Sequence, residues 1–304
     1  MKAKIVIILA VIIALSAGMY SCAALAGITG TGAQIAGSSG LINKNTANAI
    51  SLSSKAVASA AEEITPEQEY YIGRAVSANI LASYKIWREN PALTSYLNLI
   101  CSSITINSPR PDIYNGYHVA ILNSDEINAF ATSGGHIFVT RGLIGAAKSE
   151  DALAGVIAHE IAHIQLQHSI KAIRTSRITQ ALLVTGTSAA GAAAGYDVNE
   201  ITDIFNESVG EIVTTLVNNG YSQTQEFDAD NTAMSLMASA GYSPSGLIDM
   251  LRELNNVQKN SSGGFGKTHP TPAQRIRNAE KSVGKYSVTD TRPYRQNRFG
   301  AAAK

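Results

Sequence analysis

Residues 149–164 read SEDALAGVIAHEIAHI, and this stretch decides what the chain can fold into. Ser149 can cap a helix, and the acidic side chains of Glu150 and Asp151 favour the positive end of its macrodipole. Apolar residues then recur at helical spacing, at Leu153, Val156, Ile157, Ile161 and Ile164. The stretch therefore predicts a helix with a face buried in the core.

Polar side chains interrupt this helix at a spacing that suits metal chemistry. His159 and His163 are four residues apart, so their imidazoles project from one face on successive turns and can share one Zn²⁺. Glu160 is displaced by about 100° around the axis. From there it can reach a water on the metal, take its proton and later pass that proton to a leaving amine.

A third ligand has to come from elsewhere, because catalytic zinc normally takes three protein groups and keeps one position open. His168 lies about 140° further round the helix from His163, so we expect a surface or loop-contact histidine. Glu226 is the better candidate, since Ser222 can cap a helix that carries it. Asp230 falls four residues later on the same face and can accept a hydrogen bond from a ligating histidine.

The rest of the chain predicts an α+β fold, mostly helical, with a small antiparallel sheet. A capping box from Thr65 to Gln68 opens one helix, and Asn90-Pro91 separates it from a second. The β-rich runs at 117–122 and 136–140 supply the sheet. The chain is expected to be helical again after Gly142, with a loop or loose helix at 186–195.

The amino terminus is typical of a targeting segment. Lys2 and Lys4 precede an apolar run that is too short to span a bilayer and that ends near Cys22. We predict a lipoprotein-type signal over 1–21 with acylation of Cys22. Two alternatives stay open: ordinary cleavage after Ala24-Leu25-Ala26, which yields a soluble secreted chain, or an uncleaved anchor. Each places the remaining chain outside the cytoplasm.

Composition excludes several classes of protein. The 304 residues carry 24 Lys and Arg against 23 Asp and Glu, which argues against nucleic acid as a partner. Two cysteines are too few for a disulfide framework, and Cys101 is expected to be a buried thiol on a helix. The predicted organisation is a signal at 1–21, a Gly/Ala/Ser-rich tether and leading helix at 22–64, one catalytic domain at 65–284 and a basic flexible tail at 285–304.

Several motifs together resemble one family. They are His159-Glu160-x-x-His163, Glu226-x-x-Ala229-Asp230, Ala240-Gly241-Tyr242-x-Pro244, Asn128–Ala131 followed by Gly134–Leu143, Thr268–Pro272 with Arg275, and the opening helix from Thr65 to Gly73. In this combination the chain resembles the HtpX and CAAX prenyl protease-related zinc metallopeptidases (gluzincins), and among them the periplasmic, lipoprotein-like members.

The resemblance implies a zincin-like domain with one Zn²⁺ per chain, held by His159, His163 and Glu226. It also implies that His269 and Arg275 stabilise the oxyanion that forms when water attacks the carbonyl. Asn128 would bind substrate backbone, and residues 135–140 would pair with an extended peptide as an added strand. The residues of that segment expected to contact substrate are Gly135, His136, Ile137 and Phe138.

The leading hypothesis is therefore a zinc endopeptidase of the bacterial cell envelope, on the periplasmic side, that cleaves misfolded or misassembled proteins. Its expected partners are unfolded chains and, through a lipid anchor on Cys22, the membrane. The alternative is a non-proteolytic chaperone or assembly factor that holds unfolded chains in the same groove. A membrane-spanning prenyl protease would need apolar spans beyond the amino terminus, and the sequence shows none.

Overall fold

The structure is a computed structural model that describes residues 34–40, 63–171, 210, 212–214, 216, 219–258, 268–269 and 272–302. The predicted signal, Cys22, most of the tether and the 186–195 segment lie outside the described residues. The chain divides into two units. Of the unit formed by Met1–Ile64 and Lys171–Ser208, the main described element is a short helix at 34–38. No helix in the described ranges is long and apolar enough to cross a membrane.

The other unit, Thr65–Ile170 with Val209–Lys304, contains the predicted α+β fold. In chain order its regular elements are α1 (Pro66–Ser83), α2 (Pro91–Thr105), β1 (His118–Leu122), β2 (Ala129–Thr132), β3 (His136–Thr140), α3 (Arg141–Ala146), α4 (Glu150–Gln165), α5 (Gln223–Ser239), α6 (Ser245–Gln258), α7 (Pro272–Val283) and α8 (Arg292–Ala302).

The helix starts follow the sequence signals. Thr65 and Gln68 form the predicted capping box of α1, and Ser149 Oγ accepts a hydrogen bond from the backbone N–H of Ala152 at the start of α4. These caps satisfy backbone donors that have no partner within the helix. Three predicted helix starts are thus confirmed, because Ser222 also caps α5 through a capping box with Gln225.

Helix α4 is the centre of the core rather than a helix with one buried face. Every residue from Glu150 to Ile164 is buried, because α5 and α6 pack along α4 while β2 and α2 also contact it. Small residues allow this close approach. A Cβ on Gly155 would lie 2.8 Å from the Cα of Leu247 on α6, closer than real side chains approach.

The sheet differs from the prediction of a purely antiparallel one. Its strand order is β1-β3-β2, with β1 parallel and β2 antiparallel to β3. The hairpin between β2 and β3 turns at Gly134 and Gly135, whose φ angles of 75° and 95° suit glycine. We did not predict β2 as a separate strand of the sheet. Its position beside β3 makes β3 the central strand, with both of its edges hydrogen-bonded.

Two expectations about individual segments have opposite outcomes. Cys101 is buried on α2, as predicted, and burial raises the pKa of its thiol to about 12.

The predicted flexible tail is wrong for residues 292–302, which form α8 and bury Phe299. The basic side chains that suggested a solvated tail instead pair with the first turn of α4. Arg295 Nε lies 2.9 Å from Asp151 Oδ1, and Arg298 Nη2 lies 2.5 Å from Glu150 Oε1.

Replacing Arg295 by alanine is expected to lower the free energy of unfolding by about 3 kcal/mol, because Asp151 would be left buried without its ionic partner. Arg292→Ala, on an exposed position of the same helix, is expected to change it by no more than about 0.5 kcal/mol. Urea denaturation of the two variants measures the difference. Equal stabilities would show that the Arg295–Asp151 pair does not hold α8 to α4.

Candidate metal centre

Helix α4 brings His159 and His163 together as their spacing predicts. Their Nε2 atoms lie 3.0 Å apart, and both side chains are buried. Two neutral imidazoles cannot both donate into the space between them, so at least one of these nitrogens presents a lone pair there. A cation placed between the two rings would therefore find nitrogen ligands already aimed at it.

Glu226 on α5 completes this set. Its Oε2 lies 3.5 Å from His159 Nε2, and its Oε1 lies 3.6 Å from His163 Nε2. Ligands at zinc-bond length around a tetrahedral ion stand roughly 3.3 Å from one another. The separations of 3.0, 3.5 and 3.6 Å bracket that value. Two imidazole nitrogens and a carboxylate oxygen thus fit Zn²⁺ in both chemistry and spacing.

His269, which the resemblance placed at the site as an oxyanion donor, lies among the possible metal ligands themselves, a position that the sequence did not predict. Its Nδ1 lies 3.1 Å from Glu226 Oε1 and 3.3 Å from His159 Nε2. Ligand atoms of His159, His163, Glu226 and His269 all lie within 4.8 Å of one another. His269 is thus a fourth donor within reach of the same ion, and its oxyanion role stays a prediction.

A buried ionic network holds the carboxylates in place. The guanidinium of Arg275 is fully buried, with Nη1 2.8 Å from Glu226 Oε2 and Nη2 2.6 Å from Asp230 Oδ1. Burial by itself raises the pKa of both carboxyls, but the charge of Arg275 has the larger effect. The pKa of Glu226 is therefore held well below its usual value, and the pKa of Asp230 is also lowered. Both are therefore anionic at neutral pH. The oxyanion role predicted for Arg275 stays a prediction.

Asp230 also orients the first histidine. Its Oδ1 lies 3.0 Å from His159 Nδ1, which is the contact predicted from their helix positions. Burial and the charge of Arg275 oppose protonation of His159, yet hydrogen bonds with Asp230 and Glu226 raise its pKa to about 9 in the metal-free protein. An acceptor at Nδ1 keeps a proton on that nitrogen, so Nε2 is the nitrogen that would bind metal, after losing its own proton.

Glu160 lies beside the cluster without joining the donor set. Its Oε1 is buried and has no hydrogen-bond partner within the described part of the chain, and His269 Nε2 is 3.5 Å away. Burial raises the pKa of this carboxyl. A buried acceptor without a partner is costly in a folded protein, so the arrangement suits a group that is satisfied by a water or by substrate.

The predicted peptide-binding residues separate into two groups. Asn128 is linked to the residue before His269, because its Oδ1 accepts hydrogen bonds from the Ala129 N–H and from Thr268 Oγ1. The added-strand role for residues 135–140 is wrong, because β3 is the central strand of the sheet. No strand edge of β3 is left for a peptide. This includes the segment of the four residues predicted to contact substrate, Gly135, His136, Ile137 and Phe138. The outer edge of β2 has no paired strand among the described residues.

Of the two environments expected for His168, the surface and a loop contact, the surface is wrong, whereas the contact is present with Tyr221 in the segment before α5. His168 is 4% exposed rather than on the surface, and its Nδ1 lies 2.8 Å from His163 Nδ1. Tyr221 also contacts His163 through a stacked ring pair, with centroids 4.1 Å apart and planes at 19°. Neither partner could be found from helical spacing, because His168 follows a backbone break and Tyr221 precedes α5.

Paired histidines on one buried helix with a glutamate on a second are the donor set expected of a gluzincin-type metal site. The comparison with known sequences agrees with this class, because the sequence model of peptidase family M48 matches residues 90–283. The chain belongs to peptidase family M48. The resemblance inferred from the motifs is thereby confirmed.

Three curated relatives illustrate the similarity. Metalloprotease LoiP of Escherichia coli (strain K12) is 28% identical over 155 residues, covering 51% of this chain and 58% of LoiP. Mitochondrial metalloendopeptidase OMA1 of Schizosaccharomyces pombe is 28% identical over 194 residues, 62% of this chain and 52% of OMA1. The beta-barrel assembly-enhancing protease of Escherichia coli (strain K12) is 27% identical over 202 residues, 62% of this chain and 39% of that protein. The matches thus span about half the length of these relatives.

Proposed function

We propose that this protein is a zinc-dependent metalloendopeptidase. One observation carries the proposal: His159, His163 and Glu226 converge on one point while Oε1 of the buried Glu160 carboxylate beside them lacks a hydrogen-bond partner among the described residues. A purely structural zinc site has no use for such a carboxylate. A hydrolytic site needs one within reach of the attacking water.

In the proposed mechanism His159, His163 and Glu226 hold the ion. Bound zinc would supply Lewis acidity for the scissile carbonyl and lower the pKa of the attacking water. Glu160 takes a proton from that water and delivers it to the leaving amine. Asp230 keeps the His159 proton on Nδ1, and Arg275 keeps Glu226 anionic, so the donors remain ready to bind.

The outer edge of β2 is the proposed site for the peptide. Asn128 O accepts the Thr140 N–H, and hydrogen-bonded pairs alternate along an antiparallel ladder. The N–H and C=O groups of Ala129 and Ala131 therefore point away from β3, and of these the Ala129 N–H already donates to Asn128 Oδ1. An extended peptide that pairs there is recognised by its main chain, and this favours broad selection of unfolded segments.

The proposed substrates are misfolded or misassembled proteins of the bacterial cell envelope, on its periplasmic side. The lipoprotein-like pattern around Cys22 supports this location, and acylation of Cys22 would tether the protein to a membrane. One relative is named for β-barrel assembly, and β-barrels are proteins of outer membranes. The near-neutral charge of the chain suits substrates that share no electrostatic signature.

The proposal is tested by metal analysis together with proteolysis of casein, an unfolded substrate. We expect one zinc per chain, cleavage of casein and loss of cleavage after chelation. Zinc at a hundredfold excess over its dissociation constant stabilises the fold by about 2.7 kcal/mol. The melting temperature should therefore rise by about 5–10 °C on loading, as measured by calorimetry.

Magnesium at the same concentration is the control, since the two nitrogen donors do not suit it. A purified chain that binds no zinc, or one that cleaves casein equally well after the metal has been removed, would contradict the proposal.

A further inference from the structure

We propose that His168 is a positioning residue that fixes the ring of His163 for metal binding, with Tyr221 as the second support of the same ring. This inference rests on the proposed metal site and adds to it a residue outside the His-Glu-x-x-His motif. His168 is one of the buried titratable groups in the described chain that the mechanism above does not use.

The backbone after α4 is built to bring His168 back to the helix. Helix α4 ends at Gln165, and Gln167 follows with a φ of 54°, in the left-handed region. A non-glycine residue rarely adopts that conformation without support. Support is present here, since Gln167 Nε2 donates to Glu69 Oε1 and buried Glu69 also pairs with Arg110. The break turns the chain so that His168 faces His163.

The hydrogen bond between the two histidines fixes a tautomer. His163 Nε2 faces the donor cluster, 3.6 Å from Glu226 Oε1, while its Nδ1 faces His168. An imidazole that binds metal through Nε2 carries its proton on Nδ1. In the proposed arrangement the His163 Nδ1–H donates a hydrogen bond to His168 Nδ1, which presents its lone pair.

The two ligand histidines are therefore held by different acceptors. His159 Nδ1 faces the carboxylate of Asp230 at 3.0 Å, whereas His163 Nδ1 faces an imidazole at 2.8 Å. Acceptors of this kind set ring orientation and ligand basicity, and their loss typically costs 10–100-fold in metal affinity. His168 has the position at His163 that Asp230 has at His159.

Tyr221 limits the remaining freedom of the ring. It is buried and stacks on His163, and it also contacts His168 at a centroid distance of 5.6 Å. With the hydrogen bond fixing rotation in the ring plane and the stacked tyrosine fixing its tilt, His163 has one orientation before the ion arrives. Less ordering is then needed when the metal binds.

The test compares His168→Leu with His168→Asn. Both remove the imidazole, but the asparagine Oδ1 occupies the place of Nδ1 and keeps an acceptor for His163. Zinc affinity, measured by competition with a chelator, is expected to fall 10–100-fold in His168→Leu and to stay within about threefold of the wild type in His168→Asn. His118→Leu, at an exposed histidine on β1, is the matched control and is expected to bind zinc normally.

Thermal unfolding of the metal-free variants separates positioning from packing. If His168 only fills space, the leucine and asparagine variants lose similar stability and their zinc affinities change together, which would overturn the inference. Wild-type affinity in a folded His168→Leu would also overturn it. A wild-type chain that binds no zinc contradicts the proposed function itself, whereas tight wild-type binding with no difference among the variants contradicts only the role of His168.

Discussion

Glu160→Gln is expected to bind one zinc per chain as the wild type does and to cleave casein about 10²–10⁴-fold more slowly. Glutamine preserves the shape of the side chain but cannot accept a proton from water. Because Glu160 is not among the four residues that could hold a metal, His159, His163, Glu226 and His269, the substitution leaves the candidate donor set intact. Metal content and initial rates of casein cleavage, measured on the same preparation, check both parts.

Glu89→Gln is the matched control, since Glu89 is exposed and its loss should change neither quantity. Persistent cleavage by a clean, zinc-loaded Glu160→Gln would contradict the assigned proton transfer. The variant also distinguishes the protease from the chaperone hypothesis. If Glu160→Gln restores a deletion strain as fully as the wild type, the holding function is favoured over proteolysis.

Arg275→Ala is expected to lower the free energy of unfolding of the metal-free protein by about 3–5 kcal/mol. Arg275 lies within 2.8 Å of Glu226 and 2.6 Å of Asp230, and all three side chains are buried. Removing the guanidinium would leave two carboxylates near each other in a water-excluded site without their cation. Urea denaturation with chelator present measures the loss.

Arg252→Ala is the control for this prediction. Arg252 also pairs with two carboxylates, Asp249 and Glu280, but on the surface, where such pairs contribute about 0–1 kcal/mol. Arg275→Lys keeps the charge but not the fork that reaches both acceptors, so we expect a stability between those of wild type and Arg275→Ala. A loss in Arg275→Ala no larger than in Arg252→Ala would show that the buried network is not structural.

Local signals explain why much of the fold was predictable. Helix starts depend on a few consecutive residues, so Thr65, Ser149 and Ser222 could be identified as caps from sequence. The sheet was harder, because pairing depends on residues far apart in the chain. β1 and β3 were identified as strands, yet their parallel pairing and the place of β2 on the other side of β3 depend on tertiary contacts, in which β1 packs against α2 and β2 packs against α4.

The carboxyl-terminal helix shows the same limit. Its segment carries several basic residues and few apolar ones, which from sequence alone is typical of a solvated tail. Arg295 and Arg298 are ordered by Asp151 and Glu150, which lie more than 140 residues earlier. Charge pairing across that separation leaves no periodic pattern in the sequence.

The sequence by itself determined the reactive core of this protein: His159, Glu160 and His163 on one helix, and Glu226 with Asp230 on another. These placements follow from the helical repeat, which converts a spacing of four residues into a shared face. The resemblance of the motifs placed His269 and Arg275 at the site, but only the tertiary structure showed that His269 lies among the possible metal ligands, that Arg275 pairs with both carboxylates and that His168 contacts His163. Those contacts depend on a break at Gln167 and on the packing of α5 and α7, and neither can be obtained from periodicity.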